Sequence, residues 1–342
     1  MASDGLSLIK LVPVTNPDNQ IAKAESIYFA PIANGLGDLI VCLPAIQWLV
    51  STGVPTHLVI RSPEQAGLSS QIAGLAGTID EVALDADALP PGALYINMRA
   101  HPLQKDHIWG SAEFESKYPG YKITEVLKGI SADWQIGADY DQLQPLSHKP
   151  VAECAGKVLL VPGSAGRAKY WPARYWSELA ALLAHDGMEC VVIGQPDKSD
   201  IVAELIGSAH LPHFATPTLV DALDAISSAR AVVAVDTGLM HMALHQGVPT
   251  VALFRSNTMF LRPLAYCRNL IAPACDPRCI AQEFAAVPNQ MLTYDKGNET
   301  YTYWKTWDCL VHDKPTHCMS QIAVAQVHAA VAELMLQPAV HS

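Results

Sequence analysis

Short apolar runs alternate with helix-period segments along almost the whole chain, and most of the runs end in a turn of small residues. Residues 26–32 (SIYFAPI) lead into Asn34-Gly35-Leu36-Gly37, after which Leu39, Leu43, Ile46 and Val50 recur at helical spacing. Residues 57–61 (HLVIR) and 93–98 (ALYINM) read as further strands. A second series starts with 157–161 (KVLLV), which ends at Pro162-Gly163-Ser164. It continues through 189–194 (ECVVIG), 231–235 (AVVAV) and 249–254 (PTVALF). Between the series, 136–153 (IGADYDQLQPLSHKPVAE) is polar, carries Pro145 and Pro150 and shows no period, as a linker does. This alternation predicts an α/β protein with parallel sheets covered by helices. Two units follow: residues 1–150, and residues 151–342 with a Cys-rich, aperiodic segment at 272–318 and a terminal helix carrying Val324, Val327, Val331 and Leu334.

Composition narrows the class. At 342 residues the chain exceeds what one core usually organises, and 50% hydrophobic against 16% charged residues excludes a disordered chain. The formal net charge of −11 argues against nucleic acid as partner, because phosphate contacts need clustered Lys and Arg. No segment approaches the ~20 apolar residues of a membrane helix; the best, 39–50, is interrupted by Pro44 and Gln47. The start of the chain lacks the basic and apolar regions of a secretory signal, so a cytoplasmic protein is expected, with room for peripheral membrane contact. Eight cysteines are too few for a disulfide scaffold.

Three strand-to-helix turns carry chemistry. Gly35-Leu36-Gly37-Asp38 brings backbone close to a ligand and sets a carboxylate at a helix start; Asp38 either serves chemistry there or caps the helix. The third glycine of a dinucleotide fingerprint is absent, since its position holds Ile40. The loop 162–172 (PGSAGRAKYWP) offers Ser164, backbone N–H groups and Lys169 to phosphate oxygens; the plain alternative is an ordinary loop with solvated charges. Asp236-Thr237-Gly238 precedes a helix that carries His241 in its first turn, with Thr237 placed to cap it.

Three segments together resemble glycosyltransferase family 9, the bacterial heptosyltransferases: GLGDLIVCLPAIQWL (35–49), VPGSAGRAKYWPARYWSELAALL (161–183) and AVDTGLMHMALHQGVPTVALF (234–254). The resemblance implies a GT-B fold, two Rossmann-like domains facing a cleft. It implies an inverting enzyme that moves heptose from ADP-heptose to an acceptor hydroxyl of lipopolysaccharide core or of protein. By motif position Asp38 becomes the general base. Gly37, Ser164, Lys169, Asp236, Thr237, Gly238 and His241 become the donor site, and no catalytic metal is expected. Phe254 is followed by Arg255-Ser256-Asn257 where the family commonly has a glycine. The other classes weighed are an NAD-dependent oxidoreductase, which lacks its glycine fingerprint, and a non-catalytic nucleotide-sugar-binding protein, which has no need of Asp38.

Two further features sit outside these motifs. Asn97, Arg99, His101, His107 and Trp109 follow a strand end and are acceptor-side candidates; this stretch resembles the protein-modifying branch of the family. Cys275 and Cys279, then Cys309 and Cys318, form two local pairs that suit tetrahedral Zn or Fe in a structural site, with reduced thiols or disulfides as alternatives. The autotransporter heptosyltransferases, to which the resemblance extends, carry an iron-binding cysteine finger. Self-association is compatible with either reading.

Overall fold

The computed structural model describes residues 20–85, 89–105, 122–164, 169–255, 260–272, 291–296, 299–304 and 317–336. A short turn, α1 (Gln20–Lys23), precedes β1 (Ser26–Ala30) and α2 (Leu36–Ser51). Then come β2 (Thr56–Ile60), α3 (Pro63–Ser69), β3 (Gly77–Asp80), β4 (Ala93–Asn97), α4 (Pro102–Lys105) and α5 (Ile123–Asp133). The second series is β5 (Val158–Val161), α6 (Ala173–His185), β6 (Cys190–Gly194), α7 (Asp200–Gly207), β7 (His213–Ala215) and α8 (Leu219–Ser228). It continues with β8 (Ala231–Val235), α9 (Gly238–His245), β9 (Thr250–Phe254), β10 (Cys267–Ile271) and, after a hairpin, α10 (Val324–Met335).

The strands form two parallel sheets ordered β3-β2-β1-β4 and β10-β9-β8-β5-β6-β7. Counted from the first strand of each series, both read 3-2-1-4 at their centre. The order therefore reverses between β1 and β4 in one sheet and between β5 and β8 in the other. Open α/β sheets bind ligands outside the carboxyl ends of strands at such reversals. Strands β5, β8 and β9 are buried along their whole length, as expected of apolar runs covered on both faces.

Helix α2 is apolar nearly all round, with Leu39 to Ile46 and Leu49 buried, because it lies between the first sheet and α9 of the second half. One hydrophobic cluster accordingly runs from Phe29 and Ile46 to Val161 and Phe254. A second cluster lies on the far side of the second sheet. There Trp171 meets Trp176 edge-on at 5.1 Å between ring centres and donates its indole N–H to the Ile322 carbonyl at 2.9 Å. That bond satisfies a buried donor and docks the segment leading into α10.

The polar segment joining the sheets is held by side chains of the second half. Gln246 accepts from Leu146 N at 2.7 Å and donates to Leu146 O at 3.0 Å; Asp224 and Ser228 accept from Lys149 N and Val151 N. An extended segment without strand partners needs such bonds for its backbone. Strands β3, β7 and β10 extend the sequence reading. The aperiodic segment 272–318 needs correction: it contains an antiparallel hairpin, β11 (Met291–Lys296) with β12 (Glu299–Trp304). Their Thr- and Tyr-rich sequences favour extended backbone despite the lack of apolar alternation. Among the described residues, no helix is long and apolar enough to cross a membrane.

Candidate active site between the two sheets

Asp38 sits in the first turn of α2, just past β1 at the first reversal. It is half-buried, and its Oδ2 accepts the Gly35 N–H at 2.8 Å. The carboxylate thus caps the backbone at the start of α2. Burial pushes its pKa up to about 6, against the opposing pull of the Gly35 N–H and of Lys169, Arg99 and Arg61. A carboxylate poised there is mostly ionised at neutral pH and far more basic than an ordinary aspartate.

At the second reversal the loops after β5 and β8 are tied together. Ser164 Oγ donates to the Asp236 carbonyl at 3.2 Å. Lys169 Nζ meets Asp236 Oδ2 at 2.7 Å, with side-chain exposures of 15% and 10%. Lys169 is therefore held in an ion pair and is not a solvated loop charge. Desolvation pushes the Asp236 carboxyl upward, but Lys169, His241 and Arg255 outweigh it and leave the group below the usual carboxylate range. His241 lies in α9 with Nε2 4.0 Å from Asp236 Oδ1. Its burial lowers the pKa to about 3, so the imidazole is neutral. Thr237 occupies the position before α9 with extended backbone, but its side chain makes no capping bond, contrary to the sequence expectation. The first N–H groups of α9 therefore keep a positive end without a side-chain cap, which suits an anion.

The two sites meet through glycines. An added Cβ at Gly37 falls 3.0 Å from His241 Cδ2, and one at Gly238 falls 2.9 Å from Leu36 Cβ. Neither glycine has a positive φ, so the requirement is one of space alone. The starts of α2 and α9 cross at near backbone contact, which places Asp38 beside the Lys169–Asp236–His241 group.

The acceptor-side candidates separate. Arg99 belongs to the crevice: Nη1 donates to Asn34 Oδ1 at 3.0 Å, and the cation acts on Asp38. Asn97 is occupied below it, its Oδ1 accepting from Arg61 Nη2 at 2.9 Å and from the backbone of Arg99 and Ala100. His101 is turned away, with Nε2 2.9 Å from Asp133 and Nδ1 accepting from Leu103 N. His107 and Trp109 lie outside the described residues, as do Cys275, Cys279 and Cys309. Cys318 is buried at the start of a 3-10 turn. Among the described residues no group of three His, Cys, Asp or Glu side chains is arranged to hold a metal.

Two residues of the site carry no mark in the sequence. Arg61, fully buried, bridges Asn97 and Glu81 Oε1 at 2.9 Å each. Gln65, also fully buried, holds the loop before Asp38. The only signal for either was position: both follow β2, the strand beside β1.

Comparison with known proteins places this architecture. The family model described as glycosyltransferase family 9 (heptosyltransferase) matches residues 72–274, more than half of the chain, a span that starts beyond Asp38. Lipopolysaccharide heptosyltransferase 1 of Pseudomonas aeruginosa is 27% identical over 198 residues, 54% of this chain; the chain spans only 51% of that relative's length. Two solved structures share the fold. The E. coli ADP-heptose lipopolysaccharide heptosyltransferase II has a TM-score of 0.58 at 18% identity, over 91% of this chain and 99% of the other. The iron-containing dodecameric glycosyltransferase TibC from enterotoxigenic E. coli H10407 has a TM-score of 0.59 at 16% identity, over 92% and 80%. The two parallel sheets are thus an architecture of the GT-B type, as the motifs implied. With three sequence motifs gathered at the paired reversals and the family match covering more than half of the chain, the chain belongs to glycosyltransferase family 9 (heptosyltransferase).

Proposed function

We propose that the protein transfers a heptose from ADP-heptose to an acceptor hydroxyl with inversion at the anomeric carbon. The observation that carries this reading is the pairing across the crevice. A basic carboxylate, Asp38, stands on one side, and a Lys169–Asp236–His241 group with the open start of α9 stands on the other. Asp38 takes the proton from the acceptor hydroxyl as its oxygen attacks the anomeric carbon. The bond to the diphosphate breaks, and the departing charge is met by Lys169 and by the N–H groups around Gly238. Gly37, Ser164 and Thr237 lie where they line the same donor site. Attack by one oxygen on the face opposite the leaving group gives a single inversion. These residues supply charge stabilisation without a catalytic metal.

The resemblance to lipopolysaccharide enzymes and to TibC leaves two acceptors to be tested, a core sugar hydroxyl and a protein Ser or Thr, with Arg99 on the acceptor side. We place the boundary between the acceptor half and the donor half at residue 150, inside the pinned polar segment. A structural iron or zinc held by Cys275, Cys279, Cys309 and Cys318 belongs to the same proposal, on the four-thiolate donor set and the iron-containing neighbour. So do self-association, on the precedent of that dodecamer, and a cytoplasmic location, where the nucleotide donor is made. Calorimetry with ADP-heptose, ADP, UDP-sugars and NAD tests the donor. Selective binding of ADP-heptose, followed by transfer with an inverted product anomer, supports the reading. Binding of NAD alone, or tight ADP-heptose binding without transfer to either acceptor, overturns it. Metal analysis of the folded native protein decides the cysteine site.

A further inference from the structure

The carboxylate of Asp38 has one hydrogen bond among the described residues, from the N–H of the peptide joining Asn34 to Gly35. Whatever fixes that peptide fixes the carboxylate. Gly35 itself is exposed and, lacking a side chain, cannot hold its own peptide in place. The restraint comes from α3. Gln65 Nε2 donates to Ala33 O at 2.8 Å and to Gly35 O at 3.3 Å, the carbonyls on either side of the critical peptide. Its Oε1 accepts the Arg61 N–H at 2.9 Å, and its own N–H is capped by Ser62 Oγ at 3.3 Å. The reverse amide orientation would set an oxygen against two carbonyls, so the bonding pattern admits only one. The side chain is completely buried, and an interior amide with every group satisfied defines one arrangement of its surroundings.

We infer that Gln65 is a positioning residue for the general base, acting through the Asn34–Gly35 peptide and without touching either substrate. This rests on the assignment of Asp38 as base. Its consequence is that the Gly35 N–H, one of the influences opposing burial, stays aimed at Asp38 while acceptors come and go.

The test is a carboxyl-carbon NMR titration of the full-length protein, with the Asp38 signal assigned by its absence in Asp38→Asn. Gln65→Met fills the same space without donor or acceptor. The expected result is a rise of the Asp38 midpoint above its native value by about half a pH unit or more, as the Gly35 N–H loses its fixed direction. ADP affinity is expected to stay unchanged. A folded Gln65→Met protein with the native Asp38 midpoint overturns the inference. If that variant does not fold, hydrogen exchange of the Gly35 amide in the native protein decides. Slow exchange, despite the exposure of the loop, supports a held peptide; exchange at the rate of an open loop overturns it. Transfer from ADP-heptose by Asp38→Asn is measured alongside. Full turnover there removes the base assignment, whereas loss of turnover with an unmoved midpoint in Gln65→Met removes only the role of Gln65.

Discussion

Asp38 and Asp236 both follow a parallel strand at a reversal of strand order, both sit at the start of a helix, and both are at least half-buried. Yet one carboxyl is pushed up to about 6 and the other is held below the usual range. Desolvation is the largest influence on each. The largest difference is an ion pair: Lys169 lies 2.7 Å from Asp236, where His241 and Arg255 add to its pull, while it acts on Asp38 only as a more distant charge. At close range in a shielded site the attraction outweighs burial; farther off it does not. The fold therefore sets where the two carboxylates stand, and their charged neighbours sort them into a weaker and a stronger acid.

Removing the Asp38 carboxylate, the proposed base, is the strongest way to break this comparison. Asp38→Asn is expected to lower transfer by about 10²–10⁴-fold while ADP affinity holds, and native transfer should rise with pH through about 6 as Asp38 ionises. Equal transfer by the variant, measured with ADP-heptose and either acceptor, would erase the distinction between the two aspartates. Lys169→Ala should come next. It leaves the Asp236 charge shielded and unpaired, at a cost of about 3–5 kcal/mol in denaturant unfolding near neutral pH. Adding Asp236→Asn should recover most of that loss. The sign with pH should also invert. Native Asp236, with its lowered pKa, contributes stability above the ordinary carboxylate range and loses it as pH falls. Without Lys169 the group gains stability on acidification.

A smaller effect is expected from Gly238→Ala, whose Cβ meets the Leu36 Cβ, an atom fixed to backbone. The overpacking should cost about 1–3 kcal/mol in thermal unfolding, more than Gly37→Ala, which meets only the edge of a ring. Equal effects would show that the crossing of α2 and α9 adjusts more freely than its geometry suggests. The smallest effect is on stability at Asp38 itself. Its folded pKa lies above that of the unfolded chain, so its contribution is fully present below pH about 4 and is lost as pH rises through about 6. Asp38→Asn should therefore stabilise the protein progressively as pH rises from about 4 to about 8, and by nothing near pH 4.

Much of the site was legible because parallel α/β proteins put chemistry at strand ends, and strand ends are marked by glycine, proline and a change of period. The turns at Gly35, Ser164 and Asp236 were found that way. What the residues do there was less legible. Lys169 reads as a loop cation and Asp236 as a cap, since nothing in a sequence says that two loops 67 residues apart lie within an ion pair's reach. Thr237 has the right residue type for a cap and does not act as one. Gln65 and Arg61 were passed over because a polar residue in a short amphipathic helix, or at a strand end, ordinarily faces water. Their burial goes with bonds to Ala33 and Gly35 past the end of β1, to Asn97 at the end of β4 and to Glu81. Strand β3, only four residues long with one half-buried face, gives too little pattern to register.

The crossing at Gly37 and Gly238 has a consequence for descent. A glycosyltransferase of two halves invites the view that acceptor and donor modules are exchanged freely, each keeping its own specificity. Here each half carries a notch cut for the other: Gly37 receives the ring of His241, and Gly238 receives Leu36. A chimera that joins this first half to a foreign second half should assemble a working crevice only if the newcomer also brings a glycine opposite Leu36 and a flat side chain opposite Gly37. Recombination within such a lineage is then constrained less by the peptide that links the halves than by four residues on the floor between them.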